Sequence, residues 1–534
     1  MSKRLPIVTL LALMIPVTPG FLGSLNAADW PMYRHDLTNS GRSTETGISS
    51  SNIAQFSVKS GFPIALGGGA SVTPAVATVT INGVATSTIY VGNWTGGFYG
   101  LNALNGQSVW PSGSHFQIPS SDLPSAPQQV TCSTNVGPYN PTTGFPPCRI
   151  ASSAAVSTVS GGSTYVFFGA ANAAVYALNA ATGAEEWKWQ LPDRGCTLSG
   201  TTIANSSCVL GDAQEIWSSP VVYNGLVYFG VASHGDNPCV AGEVVAVNAT
   251  TGAQVWSQSM VDWGGTGAAV WSSPAIDITN NIVYVGTGNP CTGFSQGNPA
   301  LWSDSIVALN ASTGTMMGYY QAIPGDTGDQ DFGSSPIIYS TLYTNSCTGA
   351  NTTNYYVAEG SKNGKLYVHT RNSSGIPMTS GYSISLEAPA GLIASPSVIN
   401  VPTRTVCGQA PNKGTVLQDD ANIFAPSTSG WLFDVDASSV NTGALSVAWQ
   451  TSVDPSASGL YSAAASIEDL VIFGSGLNGT DNSLHVAATS SGALLKDFTA
   501  TGMAHVFGGP SISNGRIYFI DGNGKLYCLS YLGT

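Results

Sequence analysis

The stretch "PGDTGDQDFGSSP", residues 324–336, sets Asp326, Asp329 and Asp331 within six positions. Only 8% of the chain is charged, so three carboxylates in one loop stand out. Carboxylate oxygens at this spacing suit a hard cation or a general base. The plainer readings are a solvated loop, or a turn in which Asp bonds its own backbone. The six histidines form no HExxH and no contiguous Ser/His/Asp phrase, so hydrolysis finds no local motif.

Nine cysteines show neither zinc-type spacing nor a CxxCH haem attachment, and no covalent haem is expected. Cys132/Cys148 and Cys196/Cys208 each bracket a Gly/Pro/Thr-rich excursion and could staple it. Cys347 and Cys407 could also pair. Cys239 and Cys291 share the phrases "DNPC" and "GNPC", which gives them equivalent places in neighbouring repeats. Cys528, inside "KLYCLS", is left as the odd, buried thiol.

These residues must be held by something, and one phrase recurs that can hold them. A small residue and Pro lead into an apolar strand, a short turn and a second strand ending in Gly. A third strand follows, then a turn of the form N-x-x-T-G and usually Trp. The clearest copies are "YALNAATGAEEW", "VAVNATTGAQVW" and "IVALNASTGTMMG". Turn glycines fall at Gly106, Gly183, Gly252, Gly314, Gly375, Gly443 and Gly492, and a last copy ends the chain. Strands such as "IYVG", "VFFG", "VYFG" and "VYVG" are short and β-rich. The turn Gly permits a positive φ, and the Trp can fill the wedge between sheets. The expectation is an all-β, eight-bladed propeller of four-stranded antiparallel blades, since radial closure protects sheet edges. The stretch "DWPMYRHDLTNSGRS" is expected to supply the closing strand to the last blade.

At 534 residues, 43% hydrophobic with 12 Trp and 21 Tyr, the chain has ample core material despite 63 Gly and 30 Pro. Lys+Arg 16 against Asp+Glu 29 gives a net charge of −13, which argues against a nucleic-acid surface. "MSKR", then the apolar "LPIVTLLALMIPV" and the small-residue run to "SLNAADW", reads as an export signal. Residues 1–27 are assigned to that signal and 28–534 to a single propeller domain. No later segment reads as a transmembrane anchor. A periplasmic or secreted location follows.

The phrases "DWPMYRHDLTNSG", "AVWSSPAIDITNNIVYVGTGNP", "DQDFGSSPIIY" and "EGSKNGKLYV" resemble the pyrroloquinoline quinone (PQQ) dehydrogenases, polyvinyl alcohol dehydrogenase-like members above all. The resemblance implies a role for each matched residue. Trp271 matches the indole floor beneath the flat quinone, and Lys362 the basic residue beside the quinone oxygens. Arg149 matches the Arg that binds the cofactor carboxylates. Asn289 matches the metal-ligating Asn, and Asp329 the catalytic Asp, also near the metal. Asp331 matches the extra carboxylate of lanthanide-using relatives. Asp326 is left as the turn former. The family's metal-binding Glu, its adjacent Cys-Cys pair and its Arg-Gly are missing from "VASHGDNPCVAGEVV", where Ala241 stands in place of Arg. Asp236 could substitute as a ligand, and a Cys239–Cys291 bond could replace the vicinal disulfide.

The implied activity is oxidation of an alcohol, with polymeric and secondary alcohols among the candidates, using PQQ and a calcium or lanthanide ion. Electrons would pass to a separate acceptor such as a cytochrome c. The alternative is a non-catalytic propeller that binds proteins or glycans outside the cytoplasm.

Overall fold

The computed structural model describes residues 28–122, 149–191, 198–199, 202–203, 214–233, 239–262, 264–292, 299–345, 350–386, 391–401, 420–437, 445–453, 459–476 and 481–533. The pairings Cys132/Cys148, Cys196/Cys208 and Cys347/Cys407, and residue Asp236, lie outside them.

Among the described residues, eight four-stranded antiparallel sheets follow one another along the chain. Blades 1 to 8 span 75–117, 155–190, 221–259, 275–321, 337–385, 397–452, 465–498 and 511–531. The last blade has only three strands of its own. Its fourth is Phe56–Val58, which pairs antiparallel with Lys525–Tyr531 and closes the ring. Residues 29–43 were expected in that place and do something else. Their carbonyls cross the inner strands, accepting from Val76 and Val156 (through Trp30 and Pro31, each 2.8 Å). Further along they accept from Ile276, Ile338, Val398 and Ser466, through Leu37, Thr38, Ser40 and Gly41. Arg42 and Ser43 then lie parallel to the inner strand of blade 7. The reason is geometric: the centre of the ring leaves inner-strand N–H groups without neighbours, and a buried N–H must find an acceptor.

The repeat phrase explains how blades join. In the turn, Gly183, Gly252, Gly314 and Gly492 have φ near +70°. A Cβ on any of them would lie 2.4 to 2.7 Å from the indole of Trp110, Trp187, Trp256 or Trp449 of the blade before. Each glycine therefore makes both the turn and the seat for the preceding blade's Trp. The Trp110 Nε1–H and the Tyr90 hydroxyl both donate to Ala180 O, at 3.0 and 2.9 Å. Trp256 and Tyr228 do the same to Ala311 O, at 3.0 and 3.1 Å. The indole thus meets apolar surface with its body and a carbonyl with its edge.

A serine just ahead of the inner strand, followed by Pro in blades 3 to 6, makes a belt around the channel. The backbone N–H of Thr73 donates to Ser153 Oγ (2.9 Å), that of Ser153 to Ser219 (3.0 Å), and that of Ser219 to Ser273 (2.9 Å). Ser273 and Ser335 continue it to Ser335 and Ser395, both at 2.9 Å. Blades 7 and 8 place Ala463 and Gly509 at this position. There Tyr33 donates to Ser395 Oγ, and the buried Arg34 guanidinium reaches the carbonyls of Pro396 and Ala464. No helix among the described residues is long and apolar enough to cross a membrane.

Candidate functional site

The belt fixes a register that places the site. Two residues ahead of it lie Trp217, Trp271, Gly333, Ile393, Tyr461 and Phe507 in blades 3 to 8, and four residues ahead lie Arg149, Glu215 and Asp331 in blades 2, 3 and 5. These positions precede the inner strands and ring one mouth of the channel. Trp217, Trp271, Ile393, Tyr461 and Phe507 are partly exposed, as a mouth-lining position requires. Trp217 and Trp271 are therefore equivalents of each other, and neither is a blade-packing Trp. Gly333 makes room for Trp271: a Cβ there would come within 2.9 Å of its ring.

Asp331 is the hub. Its Oδ1 accepts the backbone N–H of Asn289 at 2.9 Å, and its Oδ2 the Trp271 Nε1–H at 3.1 Å. The Lys362 ammonium lies 2.9 Å from the same Oδ2, 2.6 Å from Asp329 Oδ1, and 5.3 Å from the centre of the Trp271 ring. The Lys362 backbone N–H donates to Asp331 O at 2.8 Å, so the two loops are tied by main chain as well. Four blade-4 and blade-5 residues assigned from sequence, with Asp329, are thus brought together.

The two carboxylates differ. Asp331 is nearly buried, with 5% of its side chain exposed, whereas Asp329 is 64% exposed and sits at φ +57°. The sequence made Asp329 the principal carboxylate; Asp331 is the one held in place. Partial burial, joined by Asp331 and Asp326, pushes the Asp329 pKa up against the pull of Lys362. Burial works to lower the Lys362 pKa, but Asp331 and Asp329 outweigh it and hold the ammonium above its usual value. Asp326 is the turn former: it accepts from the N–H groups of Gly328 and Gln330, each at 2.8 Å.

Arg149 enters a different group. It is buried in an ion pair with Glu215, and its guanidinium lies 4.3 Å from the centre of the Trp217 ring. Cys239 and Cys291 form a disulfide that links blades 3 and 4 two residues beyond Asn289. Cys528 is buried and unpaired with another cysteine. Ala241 and Gly242 run beside Gly267, which fills the region with backbone.

Two features escaped the sequence. Asp304, behind the loops, is fully buried with neither carboxylate oxygen bonded among the described residues. Burial first, then Asp331 and Asp326, pushes its pKa up to about 9, so it is a neutral acid at pH 7. In blade 7, Ser475 Oγ lies 2.8 Å from His485 Nε2, and His485 Nδ1 lies 2.8 Å from Asp497. Asp481 lies 3.2 Å from the same Nε2. Ser475 is 1% exposed and donates its hydroxyl proton to the Asp481 carbonyl, so this constellation braces the blade and offers no nucleophile.

The cofactor the resemblance implies can be tested against these residues. A partly exposed indole offers a platform for a planar ring. The Asn289 amide oxygen accepts no bond among the described residues, and amide and carboxylate oxygens are donors suited to a hard cation. The residues fit both groups.

Residues 212–380 match the family described as PQQ: Glucose/ethanol/alcohol dehydrogenase, beta-propeller domain, a span that holds Trp271, Asn289, Asp329, Asp331 and Lys362. The resemblance is to quinoprotein alcohol dehydrogenases. A 1-butanol dehydrogenase (quinone) of Thauera butanivorans is 25% identical over 219 residues, covering 33% of each chain. A polyvinylalcohol dehydrogenase of a Sphingopyxis species is 24% identical over 187 residues, 30% of this chain and 25% of that one. The alignments span about a third of the length of the curated relatives this chain matches. Among solved structures, the quinohemoprotein alcohol dehydrogenase ADHIIG of Pseudomonas putida HK5 superposes with TM-score 0.64 at 16% identity, covering 95% of this chain and 81% of that chain. BamB from Moraxella catarrhalis gives 0.51 at 13% identity, covering 89% and 100%. These two likenesses establish the propeller fold alone.

Proposed function

We propose that this chain is an exported quinoprotein that oxidises an alcohol with PQQ and a calcium or lanthanide ion. One observation carries the reading: the Asp331 carboxylate draws Trp271, Asn289 and Lys362 into a single group at the channel mouth. PQQ, when bound, supplies an electrophilic quinone that accepts hydride from an alcohol. Trp271 would support its ring, and Lys362 would meet its polar edge. Asn289 and Asp331 would hold the cation, with Asp329 at its edge and Asp236 as a further ligand.

The chain's own part is to position and to move a proton. Lys362 fixes Asp329 at the rim, and the upward push on the Asp329 pKa makes that carboxylate a better acceptor for the hydroxyl proton of an alcohol. The Asp331 contacts to Trp271 and Asn289 keep platform and amide oxygen in register. Electrons would leave to a separate acceptor such as a cytochrome c.

The test is reconstitution of the purified chain with PQQ and Ca²⁺ or La³⁺, followed by alcohol-dependent dye reduction and direct measurement of quinone binding. Asp329→Ala is expected to retain the quinone and lose turnover. A second reading is favoured by Arg149, which is already engaged by Glu215: a non-catalytic propeller that binds proteins or glycans. Absence of quinone binding with either metal would decide for that reading.

A further inference from the structure

A cavity of about 590 Å³ opens at the other end of the ring, below blades 4 and 5. That volume lies within the range of small-molecule sites. One wall is the N-terminal segment, where Asp36, Thr38, Ser40, Arg42 and Thr44 line the cavity. The facing wall is made by the hairpins that carry Asp277 to Asn280 and Arg371 to Ser373, with Ser340 and Tyr355 between them.

Three of the four charged groups here are occupied. The Asp36 carboxylate accepts from Thr38 N–H (2.9 Å), Thr38 Oγ1 (2.7 Å) and Ser40 N–H (3.1 Å). Asp277 accepts from the N–H groups of Thr279 (2.9 Å) and Asn280 (3.1 Å), from Asn280 Nδ2 (2.8 Å), and from the Arg371 guanidinium. Arg371 also donates to Tyr356 O at 3.1 Å and packs 5.6 Å from the centre of the Tyr355 ring. Arg42 differs. Its buried Nε has no partner, and its guanidinium forms no ion pair among the described residues.

We propose that this cavity binds a small hydroxylated carboxylate, with the carboxylate on Arg42 and the hydroxyl-bearing body between Thr38, Asn280 and the Tyr355 ring. A guanidinium with unused donors matches a carboxylate in geometry as well as charge. Hydroxyl and amide side chains both donate and accept, which suits hydroxyl groups better than a plain hydrocarbon. Tyr355 is 45% exposed and presents a ring to a C–H face. The site is independent of the mouth and of the oxidoreductase reading.

Calorimetric titration of the full chain with sodium D-gluconate, sorbitol and inorganic phosphate tests it. Gluconate should bind saturably, and sorbitol and phosphate at least about tenfold more weakly, a difference of roughly 1.4 kcal/mol. Hydrogen exchange of residues 28–43, which build one wall, should slow on adding gluconate. Arg42→Gln and Tyr355→Ala should each weaken gluconate binding about tenfold or more. Arg42 also takes part in a strand pairing, so the rim variant Tyr355→Ala decides if Arg42→Gln fails to fold. No gluconate binding by the wild type, equal binding of sorbitol, a preference for phosphate, or unchanged affinity in a folded variant overturns the proposal.

Discussion

The junction of blades 1 and 2 and that of blades 4 and 5 are built on the same repeat and filled in opposite ways. In the first, Phe98 and Phe168 stack at 4.0 Å with an interplanar angle of 9°, and Phe168 lies 5.4 Å from Tyr176. In the second, Glu359 takes the place before the strand-ending glycine that Phe168 and Phe229 take elsewhere. Glu359 is fully buried, neither of its oxygens has a hydrogen-bond partner among the described residues, and burial raises its pKa well above the carboxylate range. Gly286 leaves room for it: a Cβ there would lie 1.9 Å from Glu359 Oε1. Asp304 is nearby in the same pair of blades, and His369 lies 3.7 Å from Tyr320. The junction that carries the candidate site thus holds two buried acids, Asp304 and Glu359, whose carboxylate oxygens have no hydrogen-bond partner among the described residues. A protein usually breaks packing rules where function needs the group more than stability does.

Four substitutions can break or sharpen this contrast. Asp331→Asn keeps the shape of the hub but removes its charge from Lys362, and should lower alcohol-dependent dye reduction about 10²- to 10⁴-fold. A reconstituted variant with unchanged turnover would show that the hub is structural only. Phe168→Ala should cost about 3–5 kcal/mol in urea unfolding while quinone affinity is unchanged. Loss of quinone affinity there would show that the two junctions are coupled. Gly183→Ala forces a Cβ against Trp110 at a positive φ and should cost about 1–3 kcal/mol, read as a lower melting temperature.

Asp304→Asn should have the smallest effect near pH 4 and a characteristic pH dependence. The folded pKa of Asp304, about 9, lies above that of an unfolded Asp, so wild-type stability falls as pH rises from roughly 4 towards 9. The variant lacks that loss. Its stability in urea unfolding should exceed the wild type's at pH 8, and the gain should shrink near pH 4. A gain independent of pH would place the charge on Asp304 outside the folding equilibrium.

The blade architecture was legible because the blades vary one physical solution: a turn glycine, an indole in blades 1, 2, 3 and 6, and in most a small residue before Pro. The acidic loop was legible for a related reason, since Asp326 at a Gly-flanked turn differs in kind from the two carboxylates after it. The order of importance of Asp329 and Asp331 was not, because burial depends on the neighbouring loops that carry Asn289 and Lys362. Phe56–Val58 is too short, and too exposed on two of its three residues, to announce itself as the closing strand. Glu359 and Asp304 sit in strand-like phrases where a lone acid reads as surface. Ser475, His485 and Asp497 belong to three successive stretches of one blade, so only folding brings them together. The shared "NPC" phrase suggested equivalent places for Cys239 and Cys291, and in the fold they are bonded to each other.

The N-terminal segment has a consequence for the order of assembly. Its partners are up to 485 positions away: Ala28 O waits for Ser513, and Arg34 for the carbonyl of Ala464. The segment from Ala28 to Ser43 is therefore fully seated only when the last blade exists. Contacts of such separation form late, because loop closure opposes them until the rest is organised. Until then the hub of the wheel stands open, and its final part is the one that has waited longest.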